Sequence, residues 1–193
     1  MNKASRFAAM IRMITVAPVM ALATLGILYR LRPDIFQGAF HYILSIIFLT
    51  ILPLAAYPLQ PILPKLRDKG REGQRGLAMV MAVLGYLCGI ASALYLHAPN
   101  ELLLIYWVYF ISGMGILLFN KVLKIRASGH ACGVTGPIAI LTYFAGIKAL
   151  VSIVVLAPVY WASLKMKRHT VSQLFWGSVI PIFALIIAAS QMP

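Results

Sequence analysis

The chain alternates between long apolar runs and short polar segments rich in lysine and arginine. A helix needs about 20 mainly apolar residues to cross the ~30 Å hydrocarbon core of a bilayer, and about 17 suffice at the lower limit. By this criterion the pattern predicts spans at about 13–30, 39–59, 77–96, 102–120, 131–147, 149–164 and 174–191. The predicted fold is an all-α, polytopic membrane helix bundle of six to seven spans, with residues 1–193 forming a single transmembrane domain.

Three segments modify this simple alternation. Residues 1–12 carry bases among small and apolar residues and predict a basic amphipathic lead-in. A series of prolines that starts at Pro53 predicts an irregular end to the second span. Residues 131–164 contain one charge, Lys148, and a straight helix of that length would be too long for one crossing at 1.5 Å per residue. We therefore predict a hairpin of two short spans that turns near Lys148.

Composition agrees with a membrane protein. Hydrophobic residues make up 62% of the chain and charged residues 11%, whereas soluble domains carry about 25% charged residues. The formal net charge of +13 would suggest nucleic acid as the partner of a soluble protein. Because the bases lie in short loops between apolar runs, we predict no nucleic-acid partner. The positive-inside bias of membrane proteins and a phosphate-binding site are the two remaining explanations.

The predicted spans place the loops at 61–76, 121–130 and 165–173 on one side of the membrane, together with the N-terminal segment. Every lysine and arginine except Arg30, Arg32 and Lys148 falls on that side. The positive-inside rule would make it the cytoplasmic side, but bases that bind phosphate would bias such a count. The expected location is the inner (cytoplasmic) membrane of a bacterium, and the face that holds the basic loops stays open.

Two of these loops contain a basic run that ends in a histidine. Lys121 to His130 reads KVLKIRASGH, and Lys165 to His169 reads KMKRH. Two histidines among bases suit phosphoryl transfer: one neutral imidazole attacks phosphorus, and the other, protonated, supplies a proton to the leaving alkoxide. Lysine and arginine neutralise the phosphoryl oxygens in the transition state.

The segment Ser128-Gly129-His130 also leads into a predicted helix. The free backbone N–H groups at the start of a helix attract anions. Gly129 lets a phosphate approach the backbone closely. No carboxylate cluster is present to hold a divalent metal, since Asp34, Asp68, Glu72 and Glu101 are scattered. We therefore predict a metal-independent reaction without a cofactor.

Ser128-Gly129-His130, followed after two short spans by His169-Thr-Val-Ser-Gln173 and then Gly177, resembles the type-2 phosphatidic acid phosphatase superfamily of membrane lipid phosphatases. The resemblance extends from about Lys65 to Gly177 and is strongest to a short bacterial branch. It implies that His169 is the nucleophile that becomes phosphorylated and that His130 is the general acid. It also implies that Ser128 and Gly129 contact phosphate.

The basic residues of the family have no exact counterpart. For the first motif, one set of candidates is Lys121, Lys124 and Arg126, and the other is Arg71 and Arg75. We predict that both sets contribute, with Arg71 and Arg75 as the first-motif analogues.

The third motif departs at two positions. Its arginine corresponds to Ser163, for which Lys165 or Arg168 would substitute. Its aspartate corresponds to Gln173, whose carbonyl group can still accept the Nδ1–H bond of the imidazole but carries no charge. The resemblance therefore implies a weaker nucleophile.

The predicted function is hydrolysis of a lipid phosphate monoester or pyrophosphate through a phosphohistidine, with the lipid tail among the spans. The alternative is a non-catalytic relative that binds or carries anionic lipids, and Ser163 and Gln173 favour this alternative. A small transporter would need polar residues at mid-membrane depth, and the spans have few besides serine and threonine.

Overall fold

The computed structural model describes residues 3–192, which are mainly helical and contain no strand. The eight long helices are α1 (Lys3–Ile14), α2 (Ala17–Leu31), α3 (Ala39–Leu59), α4 (Gly70–Tyr95), α5 (Asn100–Val122), α6 (Gly129–Ala145), α7 (Ile147–Lys165) and α8 (Val171–Ser190). Two short helices, Pro33–Phe36 and Pro64–Arg67, lie in the connections. Helices α3 and α5 contain π-helical segments at Ile47–Ile51 and Leu118–Val122, and α7 begins with a 3-10 segment, Ile147–Val155.

Five of these helices, α3, α4, α5, α7 and α8, are long and apolar enough to cross a membrane. Helices α1 and α2 would add a sixth crossing if they formed one span bent by 55°. Helix α6 has 17 residues, so it is about 25 Å long and shorter than the hydrocarbon core. The described chain is therefore a helical bundle with five to six candidate spans, and the span predicted at 131–147 is not among them.

Helix α6 is nevertheless the most enclosed helix of the bundle. It packs mainly against α8 and α2, and ten of its residues are buried. At Gly133 an added Cβ would lie 2.4 Å from the Cβ of Ala17, so only glycine allows the observed approach of α6 to α2. Small residues at such crossings are typical of helices packed within membranes. The central position of α6 places its first residues, which include His130, in the middle of one end of the bundle.

The predicted first span at 13–30 is wrong at its start, because the helix breaks there. Helix α1 ends at Ile14 and α2 begins at Ala17, with Val16 in an extended conformation. Pro18 favours this restart, since proline lacks the N–H that a continuing helix would require and is suited to a first helical turn. The amphipathic lead-in is α1, whose Ala8 and Ile11 are buried where it packs against α7.

The polar stretch from Lys65 to Arg75, predicted as a loop, is largely helical. After the one-turn helix Pro64–Arg67, helix α4 begins at Gly70 and includes Arg71 and Arg75. Helix α4 has 26 residues, so at about 39 Å it is longer than the hydrocarbon core and its charged first turns can lie outside it. Glu72 in the first turn stabilises the positive end of the helix dipole.

The hairpin predicted to turn near Lys148 turns two residues earlier, at Gly146. Gly146 has a φ of +84°, which residues with a side chain rarely adopt, and Lys148 lies in the first turn of α7. The irregular end predicted for the second span from Pro53 onwards is wrong for α3, because the helix continues through Pro53 and Pro58 to Leu59. Its π-helical segment, Ile47–Ile51, lies before these prolines.

The end of the bundle opposite to His130 holds the bases that were predicted to lie apart from the others. Arg32 forms an ion pair with Asp34 (2.7 Å) and donates a hydrogen bond to the carbonyl oxygen of Phe144 (3.2 Å). This bond fixes the end of α2 to the end of α6. The two ends of the bundle therefore differ in composition, and the histidine motifs share one of them.

Candidate active site

The two histidine motifs are joined directly through the backbone. The Ser128 N–H donates a hydrogen bond to the carbonyl oxygen of Gln173 (2.8 Å). Gly177, one turn further along α8, lies against the same residue, and an added Cβ would be 2.3 Å from the Ser128 carbonyl oxygen. Because Gly177 has no side chain, the first turns of α8 pack onto the start of α6. This contact brings the segments that carry His130 and His169 together.

Gln173 fixes the orientation of His169. The Nδ1 atom of His169 lies 3.1 Å from Oε1 of Gln173, which is the hydrogen bond that the sequence predicted. The same oxygen accepts the Thr170 N–H, and the Thr170 hydroxyl accepts the Gln173 N–H, so both residues form a capping box at the start of α8. An amide oxygen can only accept hydrogen bonds. Nδ1 therefore carries the proton, and in the neutral imidazole Nε2 carries the free lone pair.

His130 is held by Thr15, a residue that sequence analysis did not single out. The Nε2 atom of His130 lies 3.0 Å from the Thr15 hydroxyl oxygen. That hydroxyl donates its own proton to the Ile11 carbonyl oxygen (2.7 Å). Thr15 must therefore accept, and Nε2 of His130 donates the proton that the bond requires. His130 thus holds a proton in the direction of α1.

Arg12 is the second residue that sequence analysis missed. Its guanidinium donates a hydrogen bond to the hydroxyl of Ser163, which is fully buried (0% exposed). Arg12 is also close enough to interact electrostatically with both histidines. The available signal was an arginine in the apolar second half of α1, but nothing local connects position 12 to position 163.

Three arginines act electrostatically on His169. Burial is the main cause that lowers the pKa of His169, and Arg12, Arg75 and Arg168 lower it further, whereas the hydrogen bond that His169 donates to Gln173 raises it. Within residues 3–192 the ion pairs are Arg32 with Asp34 and Arg67 with Asp68, so no carboxylate is paired with these three arginines. Unbalanced positive charge around two imidazoles favours an anionic ligand.

Arg12, Arg75 and Arg168 form a cluster with the two histidines, and Arg75 and Arg168 are two of the predicted phosphate-binding residues. The other predicted basic residues are not among the charges that shift the pKa of either histidine. Lys121, Lys124, Arg126, Arg71 and Lys165 are exposed, as are Arg75 and Arg168, and among the described residues none of the seven forms a hydrogen bond or ion pair with either histidine. Arg75 and Arg168 differ from the other five because their charges lower the pKa of His169.

Ser128 and Gly129 occupy different environments. The Ser128 hydroxyl oxygen accepts the Ala131 N–H (3.2 Å) and caps α6, so this fully buried serine is already used by the fold. Gly129 is exposed and has open space around it, the nearest atom to an added Cβ being 4.0 Å away on Ile116.

The loop between α5 and α6 is closed by Asn120, which sequence analysis also missed. Its side-chain oxygen accepts the Ala127 N–H (2.7 Å), and its side-chain nitrogen donates to the Ala127 carbonyl oxygen (3.2 Å). These two bonds satisfy the backbone of Ala127 immediately before Ser128. They therefore support the start of α6, although they leave Lys121, Lys124 and Arg126 outside the cluster.

In the part of the chain that the structure describes, no group of three or more histidine, cysteine or acidic side chains is arranged to hold a metal ion. Comparisons of the chain with protein-family models, curated proteins and solved structures returned no match. The resemblance to the phosphatase superfamily therefore rests on the motif residues themselves.

Proposed function

We propose that this protein is a membrane lipid phosphatase that hydrolyses a lipid phosphate monoester or pyrophosphate through a phosphohistidine. One observation carries the proposal: two histidines from distant motifs share one end of the bundle with Arg12, Arg75 and Arg168. Such a cluster contains a nucleophile, a proton donor and positive charge for the phosphoryl oxygens.

The proposed reaction has two steps. In the first, Nε2 of His169 attacks phosphorus, the bond from phosphorus to the leaving oxygen breaks, and Nδ1–H of protonated His130 gives that oxygen a proton. Burial, and then Arg12 and His169, lower the pKa of His130 to about 3, so this step requires the negative charge of the bound phosphate to keep that imidazole protonated. In the second, water attacks the phosphohistidine, the P–N bond breaks, and neutral His130 takes a proton from the water. The Nδ1–H bond from His169 to Gln173 supports this scheme because it leaves Nε2 as the attacking atom.

The surface beside the cluster suits an apolar tail. A groove between α1 and α7 is lined by apolar side chains, which are Ala4, Phe7, Ile11, Ala157, Pro158 and Trp161. It adjoins the hydrogen bond from Arg12 to Ser163, since Ile11 precedes Arg12 and Trp161 lies two residues before Ser163. A lipid whose phosphate meets the arginines would therefore have room for its tail along α1 and α7. The proposed location is the inner membrane of a bacterium.

The direct test is phosphate release by purified protein in detergent micelles from phosphatidate, phosphatidylglycerophosphate, and polyprenyl phosphates and diphosphates. We expect His169→Ala to abolish release and His130→Ala to reduce it about 10²- to 10⁴-fold, the usual contribution of a proton-transferring side chain. With a radiolabelled substrate, wild type should carry base-stable, acid-labile label that His169→Ala lacks.

The matched control is His97→Asn, which replaces an exposed histidine in the connection between α4 and α5. Asparagine tolerates the positive φ of 51° at that position. Equal release by wild type and His169→Ala would disprove the catalytic proposal. Lipid binding without any release would instead support the carrier alternative, which the neutral residues Ser163 and Gln173 favour.

A further inference from the structure

We propose that Arg12, on the N-terminal helix α1, binds the substrate phosphate in place of the arginine that the third family motif would have at position 163. The proposal rests on the proposed function and deepens it by adding an element outside the recognised motifs. The resemblance extends from about Lys65 to Gly177, so α1 lies outside it.

The geometry places Arg12 beside Ser163, the position at which the family motif would have an arginine. Ser163 is fully buried and too short to reach a phosphate, and its hydroxyl accepts a hydrogen bond from the Arg12 guanidinium. A guanidinium is therefore present beside position 163, although a different helix supplies it. Packing of α1 against α7 keeps it there, with Ala8 and Ile11 buried in the contact.

The same turn of α1 also holds the second histidine. Thr15 follows Arg12 by three residues, so the two side chains lie on one face of the helix end. Thr15 accepts the His130 Nε2–H at 3.0 Å, and Arg12 lies within electrostatic range of His130 and His169. The chain bends by 55° between α1 and α2, so the last turn of α1 can contact the site.

A purely structural role explains Arg12 less well. The guanidinium is half-buried, and its one hydrogen bond within residues 3–192 leaves most of its N–H groups without a protein acceptor. Arg168 and Arg75 repel it electrostatically, and within residues 3–192 no ion pair joins a carboxylate to any of the three arginines. Partly buried like charges are unfavourable unless a counter-charge is present. A phosphate group would supply that charge and accept the free N–H groups.

The experiment compares Arg12→Ala, Arg12→Lys and the control Arg6→Ala in purified full-length protein. Arg6 lies on the same helix, is exposed and carries the same charge. Binding of inorganic phosphate is measured by titration calorimetry in micelles, with kcat and KM for phosphate release in parallel. We expect Arg12→Ala to weaken phosphate binding at least about tenfold, because it removes charge-assisted hydrogen bonds. Arg6→Ala should bind like wild type, and Arg12→Lys should recover part of the affinity, since it keeps the charge without the planar fork.

A double variant tests whether Arg12 takes the place of the motif arginine. Arg12→Ala with Ser163→Arg returns the guanidinium to the motif position, and the removed Arg12 side chain leaves space for it. We expect this variant to bind phosphate more tightly than Arg12→Ala alone. Unchanged phosphate binding in Arg12→Ala, or a wild type that binds no phosphate, would overturn the proposal. If Arg12→Ala fails to fold, Arg12→Lys decides, and wild-type affinity and kcat/KM in that variant would count against a bidentate phosphate contact.

The two proposals fail in different ways. If wild type binds phosphate through Arg12 but releases none from any lipid, the lipid phosphatase is wrong and the Arg12 assignment stands. If Arg12→Ala hydrolyses lipid phosphates as fast as wild type and His169→Ala does not, the phosphatase stands and the Arg12 assignment is wrong.

Discussion

A neutral amide orients the proposed nucleophile in this protein, where the resembling family has a carboxylate. Gln173 accepts Nδ1–H of His169 and also closes the capping box with Thr170. One side chain therefore starts α8 and selects the tautomer of His169. Because Gln173 is neutral, it adds no negative charge to offset Arg12, Arg75 and Arg168, which lower the pKa of His169. The imidazole is therefore a weaker nucleophile than one paired with a carboxylate.

Replacing Gln173 by glutamate should strengthen that nucleophile. Glutamate is nearly the same size and can form the same capping box, but its charge would raise the pKa of His169. We expect Gln173→Glu to fold like wild type and to move the acidic limb of the kcat/KM profile to higher pH. Gln173→Ala, which removes the bond that raises the pKa, should move the limb to lower pH and reduce kcat. Limbs at the same pH in all three proteins would show that His169 is not the titrating nucleophile.

The pH profile of the wild type follows from the environment of His169. Its pKa is lowered from the ordinary value of 6.5, mainly by burial and then by Arg12, Arg75 and Arg168. A lowered pKa keeps the imidazole neutral, and so nucleophilic, below pH 6.5. We therefore expect the acidic limb of kcat/KM to lie below that pH. Arg168→Gln removes one repelling charge and should shift the limb upwards, whereas Arg6→Ala should leave it in place.

At the scale of helices, the contact of α8 with the start of α6 depends on Gly177. Alanine at 177 would bring a Cβ to 2.3 Å from the Ser128 carbonyl oxygen, so α8 would have to move. We expect Gly177→Ala to destabilise the fold by about 1–3 kcal/mol, the usual cost of overpacking. Activity should fall more than stability suggests, since the shift separates His130 from His169.

The control for this substitution is Gly76→Ala, on the exposed first part of α4, where an added Cβ meets nothing within 4 Å. Alanine there should stabilise the helix by up to about 1 kcal/mol. Thermal unfolding in micelles and phosphate release measure both effects. Equal melting temperatures for Gly177→Ala and wild type would contradict the close contact.

Local patterns predicted most helices but not the contacts between distant parts of the chain. Apolar run length located α3, α5 and α8 within three residues at each end, because hydrocarbon thickness dictates that length. The break at Thr15 and Val16, the early start of α4 and the turn at Gly146 depend on backbone conformation and packing, which hydropathy does not measure.

The same limit applies to the candidate site. His130, His169 and Gln173 stood out because they form short motifs. Arg12 and Thr15 reach their partners across 151 and 115 residues of chain, respectively, so no motif contains these pairs.

For the whole molecule, the two ends should face different compartments. The cluster of Arg12, Arg75 and Arg168 lies at one end, and the Arg32–Asp34 pair lies at the other. Single cysteines at Lys69 and Lys167 should therefore react together with a membrane-impermeant maleimide in intact cells, or be protected together. A cysteine at Gln37 should behave in the opposite way, and permeabilised cells provide the control. Lys69 and Lys167 on different sides would contradict the predicted arrangement of spans.

The junction of Ser128, Gln173 and Gly177 has a consequence for the evolution of this chain. Its contacts belong to the backbone of one helix start and the surface of another, so they serve the fold whether or not the histidines react. Among homologues, a small residue at 177 should persist even where His169 has been lost. Position 173, by contrast, should covary with position 169, because its side chain serves the imidazole as well as the cap. Divergence at 169 and 173 together, with glycine retained at 177, would mark homologues that keep the helix bundle but lack the proposed phosphatase activity.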